Sequence, residues 1–169
     1  MTNPLDIRNC TALSPDQLSR LRTLTISDAQ VEFGGTFSET LEGCLSDTSG
    51  AVQGLCFLKD AEPIGMVVLK RPPATADWVA ANAVSLHGFK LDRAWQGKYL
   101  GGLAFRLSVQ AAASTWPKAE QLVLAVDAEN IAALTVYRNF GMADSGPVFS
   151  GRIGKEHRLS INLAEADTR

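Results

Sequence analysis

Residues 95–102 read WQGKYLGG, set between the strand-like run NAVSLHGFKL (82–91) and the alanine- and leucine-rich LGGLAFRLSVQAAASTW (100–116). A strand that feeds a glycine-rich turn and then a helix N-terminus is an anion site by construction. The first backbone N–H groups of the helix have no partner within it, and the helix dipole adds partial positive charge. Glycines let the chain approach phosphate oxygens with no Cβ in the way. Two familiar phosphate loops are excluded by the residues themselves. A GxxxxGK[ST] loop needs Ser or Thr where this chain has Tyr99, and glycine where it has Asp92. The pattern GxGxxG cannot be placed on Gly97, Gly101 and Gly102 either.

Outward from that turn, the pattern is a mixed α/β one. LDIRNCT (5–11) predicts a short edge strand. SPDQLSRLRTLT (14–25) predicts a helix, with Ser14 as N-cap, Pro15 at its first position and leucines at 18, 21 and 24. SDAQVEFGG (27–35) predicts a second short helix ended by Gly34–Gly35, and TFSETLEGCL (36–45) a further turn or two. QGLCFLKD (53–60), EPIGMVVLK (62–70) and the run ending at Leu91 read as strands, the first two joined as a hairpin around Asp60–Pro63. RPPATADWVAA (71–81) is a loop long enough to carry binding residues. The helix after the glycine turn places Leu100, Leu103, Leu107 and Ala111 along one face and stops at Pro117. QLVLAV (121–126) reads as a strand covered on both faces, NIAALTVYRNF (130–140) as a helix capped by Asn130 and ended by Gly141, and GRIGKEHRLSINL (151–163) as a half-buried strand.

The chain has 169 residues, enough for one hydrophobic core, so a single domain over 1–169 is expected. A net charge of −2 argues against nucleic-acid binding, which calls for a strong basic excess. Cys10, Cys44 and Cys56 are far apart, odd in number and in no CxxC spacing. They read as small buried hydrophobes in a reducing cytoplasm, with no disulfide framework and no metal site. MTNPLDIRNC lacks the apolar core of a signal peptide, and no apolar run approaches the ~20 residues of a membrane helix, so no membrane association is expected.

Two signatures together resemble the GCN5-related N-acetyltransferase superfamily. Gln96-x-x-Tyr99-x-Gly101 is similar to the [Q/R]-x-x-G-x-[G/A] pyrophosphate loop that cradles coenzyme A in that superfamily. LVLAVDAENIAALTVYRNFGM (122–142) is similar to its second signature: apolar strand, Asn130, Tyr137 seven residues on, then the aromatic–glycine pair Phe140–Gly141. FKLDRAWQGKYLG further resembles the branch containing bacterial diamine and polyamine acetyltransferases. The departure is Tyr99, where relatives commonly have glycine. If its φ stays negative and helical, the side chain is tolerated and points outward.

The resemblance implies the family fold: a mixed central sheet of six to seven strands with splayed central strands, flanked by about four helices. It implies a bacterial, cytoplasmic enzyme that moves an acetyl group from acetyl-CoA, without a metal, to a primary amine by direct attack in a ternary complex. The amine would belong to a small molecule such as a polyamine, an amino-acid derivative or an antibiotic. The cofactor would be held by Gln96, Gly97, Lys98, Tyr99, Leu100, Gly101, Gly102 and Asn130, with backbone N–H groups around Phe89, Lys90 and Leu91 on the thioester oxygen. Tyr137 would be the acid beside the departing sulfur and also touch the cofactor. His87, at a place where a relative has histidine, and Glu32, on the helix expected to overhang the acceptor, are the candidate bases, with a water chain as the alternative. Asp28, Glu32 and Glu39 would greet a cationic amine, and Trp78 would form an aromatic wall. Peptide or protein acetylation, a non-catalytic coenzyme-A-binding module, an aminoacyl-tRNA acetylase and a homodimer stay open at this stage.

Overall fold

The computed structural model describes residues 4–166; the ends of the expected 1–169 domain lie outside the described residues. Strands β1 (Asp6–Asn9), β2 (Val52–Lys59), β3 (Glu62–Lys70), β4 (Ala83–Leu91), β5 (Gln121–Asp127), β6 (Ala143–Asp144), β7 (Phe149–Ser150) and β8 (Lys155–Asn162) form one sheet. Its order is β1-β2-β3-β4-β5-β8-β6, with β7 also paired to β8. Two of the eight strands are only two residues long, and they account for the excess over the six to seven that the resemblance implies. The helices are α1 (Pro15–Thr23), α2 (Asp28–Gly34), α3 (Phe37–Leu45), α4 (Leu100–Thr115), α5 (Ile131–Phe140) and the single turn α6 (Leu163–Ala166). Among the described residues no helix is long and apolar enough to cross a membrane.

The first three helices start the same way. In each, a Ser or Thr side chain accepts the N–H of the third helical residue, and that residue's side chain reaches back to the cap N–H. The pairs are Ser14/Gln17, Ser27/Gln30 and Thr36/Glu39, so short segments of seven to nine residues hold helical geometry beside the sheet. The β2–β3 hairpin turns on Asp60 and Ala61, both at positive φ, while Pro63 already lies in β3. α3 is a full nine-residue helix, longer than the expected turn or two.

The two faces of the sheet bury separate cores. On one, α4 and α5 cover Phe57, Val67, Leu69, Leu86, Leu122, Leu124 and Leu159. Phe105 is fully buried there among Phe89, Tyr137 and Phe140, with ring centroids 4.9 to 5.9 Å away. Burial of one such ring contributes about 2 to 3 kcal/mol. The innermost residues of α4 are Ala104, Phe105, Ser108, Val109 and Ala112, while Leu100, Leu103, Leu107 and Ala111 flank them only partly buried. Small residues let the helix lie close to the sheet, which displaces the leucine face to the sides. On the opposite face, α1 and α3 cover Cys56, Leu58, Met66 and Val68. Cys10 and Cys44 meet there, since a Cβ added at Gly54 would lie 3.5 Å from one sulfur and 3.0 Å from the other. All three cysteines are free thiols, and burial, then the Cys44 thiol, pushes Cys10 up to about 12.

Candidate active site

Two local features open the sheet at its centre. β4 pairs with β5 in parallel, but only Ala83, Val84 and Ser85 find partners, opposite Gln121, Leu122 and Val123. Beyond that point the two strands diverge. On its other edge β4 carries a bulge: Met66 pairs with Lys90 and Val68 with His87, so Val67 faces both Gly88 and Phe89. Gly88 has φ +57°, and a Cβ there would lie 3.0 Å from the Thr40 methyl. Glycine is the residue that fits this turn of the chain.

The gap between the diverging strands is a cleft of about 440 Å³, lined by β4 from Leu86 to Leu91, by β5 from Leu124 to Asp127, and by Asn130 and Tyr137 of the following segment. Gln96, Gly97 and Gly101 close one end. A second cavity lies beside α3, lined by Thr40, Cys44, Lys70 and His87 among others. Gly34 of α2 and, on β4, His87 and Gly88 line both.

The turn at 96–99 has the shape an anion requires. Gly97 takes φ +71° and Tyr99 φ +60°, both left-handed, so the expectation of a negative φ at Tyr99 is corrected. The helix that follows has no side-chain cap and no acidic residue in its first turn, so its leading N–H groups stay open. Space beside Gly97 and Gly102 is empty where a Cβ would stand. Tyr99 is 99% exposed, so its ring takes no part in packing and the residue bears only the strain of its backbone. Tyr99→Gly should therefore stabilise the protein by about 1 kcal/mol, after the extra freedom glycine gives the unfolded chain, or about 3 °C in Tm. Thermal unfolding checks this, and a lower Tm would contradict it.

The expected site residues divide in three. Phe89, Lys90, Leu91, Gln96, Gly97, Gly101, Asn130, Tyr137 and His87 all line the cleft. Lys98, Tyr99, Leu100 and Gly102 flank it on the turn and the first turn of α4, with the Lys98 ammonium 4.9 Å above the Trp95 ring. Glu32 lines neither cavity; its carboxylate is 3.4 Å from Arg152, whose guanidinium also donates to the Glu32 carbonyl. Glu39 closes the capping box at Thr36, Asp28 sits in the first turn of α2, and Trp78 stacks 4.4 Å from the Arg158 guanidinium.

Individual side chains are tightly held. Gln96 donates to the Leu91 carbonyl and to Gln30, tying the turn to α2. Asn130 accepts the Ala133 N–H at 3.3 Å as the cap of α5. Tyr137 is buried against Phe105 and Phe89, and loss of water holds its phenol well above its ordinary range, so it stays protonated at any working pH. The His87 side chain is exposed to solvent along the cavity wall, and its ring lies 2.6 Å from the Ser85 hydroxyl. The protein packed around it, then the Lys70 ammonium, pushes its pKa down to about 4.

The resemblance implies only a backbone role for Lys90. Its side chain, buried on the α3 side, donates to the Gly34 carbonyl at 3.1 Å and to the Thr40 hydroxyl at 2.8 Å. Burial lowers its pKa to about 8, with the Cys44 thiol and Glu39 acting in the other direction.

A sheet split at a bulge, beside an uncapped helix N-terminus, is the architecture of N-acetyltransferases of the GCN5-related fold. A family model described as "Acetyltransferase (GNAT) family" matches residues 18–142, and the chain belongs to that family. Solved structures of similar fold include an aminoglycoside acetyltransferase AAC(6')-Ib in complex with coenzyme A, at a TM-score of 0.76 and 17% identity, covering 98% of both chains. A chimera of the Vibrio cholerae spermidine N-acetyltransferase SpeG and hSSAT has a TM-score of 0.74 at 18% identity, covering 99% of this chain and 100% of its own. The Vibrio cholerae spermidine N-acetyltransferase in complex with CoA and spermine has a TM-score of 0.70 at 16% identity, covering 96% and 98%. A search of curated proteins returned no sequence match.

Proposed function

We propose that the protein transfers an acetyl group from acetyl-CoA to the primary amine of a small molecule, within one N-acetyltransferase domain spanning 1–169. The observation that carries this is the cleft itself: an open helix N-terminus at one end, the diverging strands in the middle, and a second cavity that shares Gly34, His87 and Gly88 with it. The residues fit the cofactor. Uncapped N–H groups of α4 and the empty space at Gly97 and Gly102 suit a pyrophosphate. The unpaired edges of β4 and β5 offer backbone hydrogen bonds to an extended amide chain such as pantetheine. Two of the similar structures contain coenzyme A, which supports the same reading.

When bound, acetyl-CoA supplies an activated thioester. The chain's own groups then perform three tasks. Backbone N–H groups near Phe89 stabilise the oxygen as charge builds on it. Tyr137, protonated and buried, gives its proton to the departing sulfur. Asn130 fixes the start of α5 and thereby the position of Tyr137 two turns on. Glu32 lines neither cavity and pairs with Arg152, which favours another acceptor for the proton of the incoming ammonium.

His87 is uncharged at neutral pH and available to accept that proton, but a base of pKa about 4 takes few protons from an alkylammonium of pKa about 10. His87→Ala should therefore leave the limbs of the pH–rate profile where they stand in the wild type between roughly pH 6 and 9. A limb that disappears in the variant would restore His87 as the titrating base.

Thiol release from acetyl-CoA, measured across polyamines, amino-acid derivatives, aminoglycosides and peptides, tests the proposal. Release with a small amine supports it. Release only with peptides moves the protein to peptide acetylation. No release, with coenzyme A bound calorimetrically, makes it a binding module.

A further inference from the structure

We propose that the side-chain amine of Lys90 is the proton acceptor that converts the incoming ammonium into the attacking amine. The inference rests on the acetyl-transfer reading above and adds the group that completes it.

Lys90 lines the cleft, and its nitrogen reaches toward residues that line both cavities. A Cβ built on Gly88 would lie 3.4 Å from it, and Gly88 lines both cavities. Its two hydrogen-bond partners, Gly34 and Thr40, belong to the wall of the second cavity. An amine held beside Gly34 and Gly88, which line both cavities, lies near this nitrogen. The bulge is responsible. In an unbroken strand His87 and Lys90 would face opposite sides, but the inserted residue turns both toward α3 while Phe89 packs against Phe105 on the other face.

The groups around the junction leave one candidate. From α3 come Glu39, held low by the Thr36 N–H it accepts, and Cys44, raised by burial. From β3 comes Lys70, whose charge acts on His87. From α2 the Gly34 carbonyl, and from α3 the Thr40 hydroxyl and the Phe37 ring, reach the amine itself. His87 is too acidic as its conjugate acid, and Tyr137 too weak as an acid, to titrate near neutrality. Lys90, lowered to about 8 by burial, exists in both forms at working pH and is matched to an alkylammonium within about two pH units.

The protons balance. Neutral Lys90 takes one proton from the acceptor ammonium and later returns it to water. The freed amine forms the C–N bond to the acetyl carbon as the C–S bond breaks. Tyr137 gives its proton to sulfur and recovers one from the nitrogen that has become an amide. The sum is acetyl-amide, free thiol and one released proton.

The test compares an alkylamine that the wild type acetylates with its β-trifluorinated counterpart, which is already neutral at pH 7. In the wild type, kcat for the alkylamine should fall below about pH 8. Thr40→Val removes an acceptor that favours the charged lysine, so the limb should move to lower pH. Lys90→Met should abolish the limb and lower kcat for the alkylamine about 100-fold, while the fluorinated amine loses no more than about threefold. Coenzyme A binding by calorimetry confirms that each variant is folded. Equal losses for both amines, or an unmoved limb in Thr40→Val, would overturn the proposal; if Lys90→Met does not fold, the Thr40→Val limb decides alone. No turnover by the wild type with any amine would instead overturn the acetyl-transfer reading itself.

Discussion

Tyr137→Phe should lower kcat about 1,000-fold and leave the affinity for coenzyme A within about twofold. The hydroxyl is the only atom removed. The ring keeps its packing against Phe105 at 5.1 Å and Phe89 at 6.3 Å, so the fold and the cleft wall are preserved. A thiolate that leaves without a proton donor in a water-poor cleft has no good way to shed its charge, and that is where the loss arises. Because the phenol titrates far above its ordinary range, wild-type activity should show no alkaline limb from this residue. Stopped-flow or steady-state thiol release gives kcat, and calorimetry gives the affinity. An unchanged kcat at saturating substrates removes Tyr137 from the proton-transfer role.

Gly65→Ala should destabilise the protein by about 3 kcal/mol, roughly 9 °C in Tm, and reduce activity in whatever remains folded. Gly65 stands opposite Leu91 at the end of the β3–β4 ladder. A Cβ there would lie 2.5 Å from the Lys90 carbonyl and 2.7 Å from the Leu91 side chain. The first of these is backbone and cannot rotate away. β4 would have to move just past the bulge, the stretch that carries the Phe89, Lys90 and Leu91 amides. Equilibrium unfolding in denaturant measures the loss; a change below about 1 kcal/mol would mean that the strand yields more easily than this packing implies.

Much of the fold is legible along the chain because it depends on local chemistry. Ser14–Gln17 spacing announces a capped helix, Asn130 and Gly141 bracket α5, and the apolar run from Leu122 marks a central strand. The cofactor side of the site is legible for the same reason, since its residues follow one another through a strand, a turn and a helix. What stays hidden depends on the partner strand. Nothing in VSLHGFKL reveals that Val67 will face two residues of it, and that single offset sends the Lys90 side chain toward α3. Glu32 looks free in sequence, because Arg152 is 120 positions away. Tyr99 looks tolerable as a helical residue, yet the turn needs a left-handed backbone there and the chain accepts the strain.

The short β4–β5 ladder has a consequence for hydrogen exchange. Three paired positions hold the two strands together, and past Ser85 and Val123 their facing edges have no strand partner. Amides on those edges should exchange deuterium early in the free protein, although they belong to the middle of the sheet and flank its buried core. A ligand that spans the gap would slow them without any rearrangement of the strands. Protection appearing at β4 and β5 together, and fading away from the gap, would trace the path of the bound cofactor amide by amide.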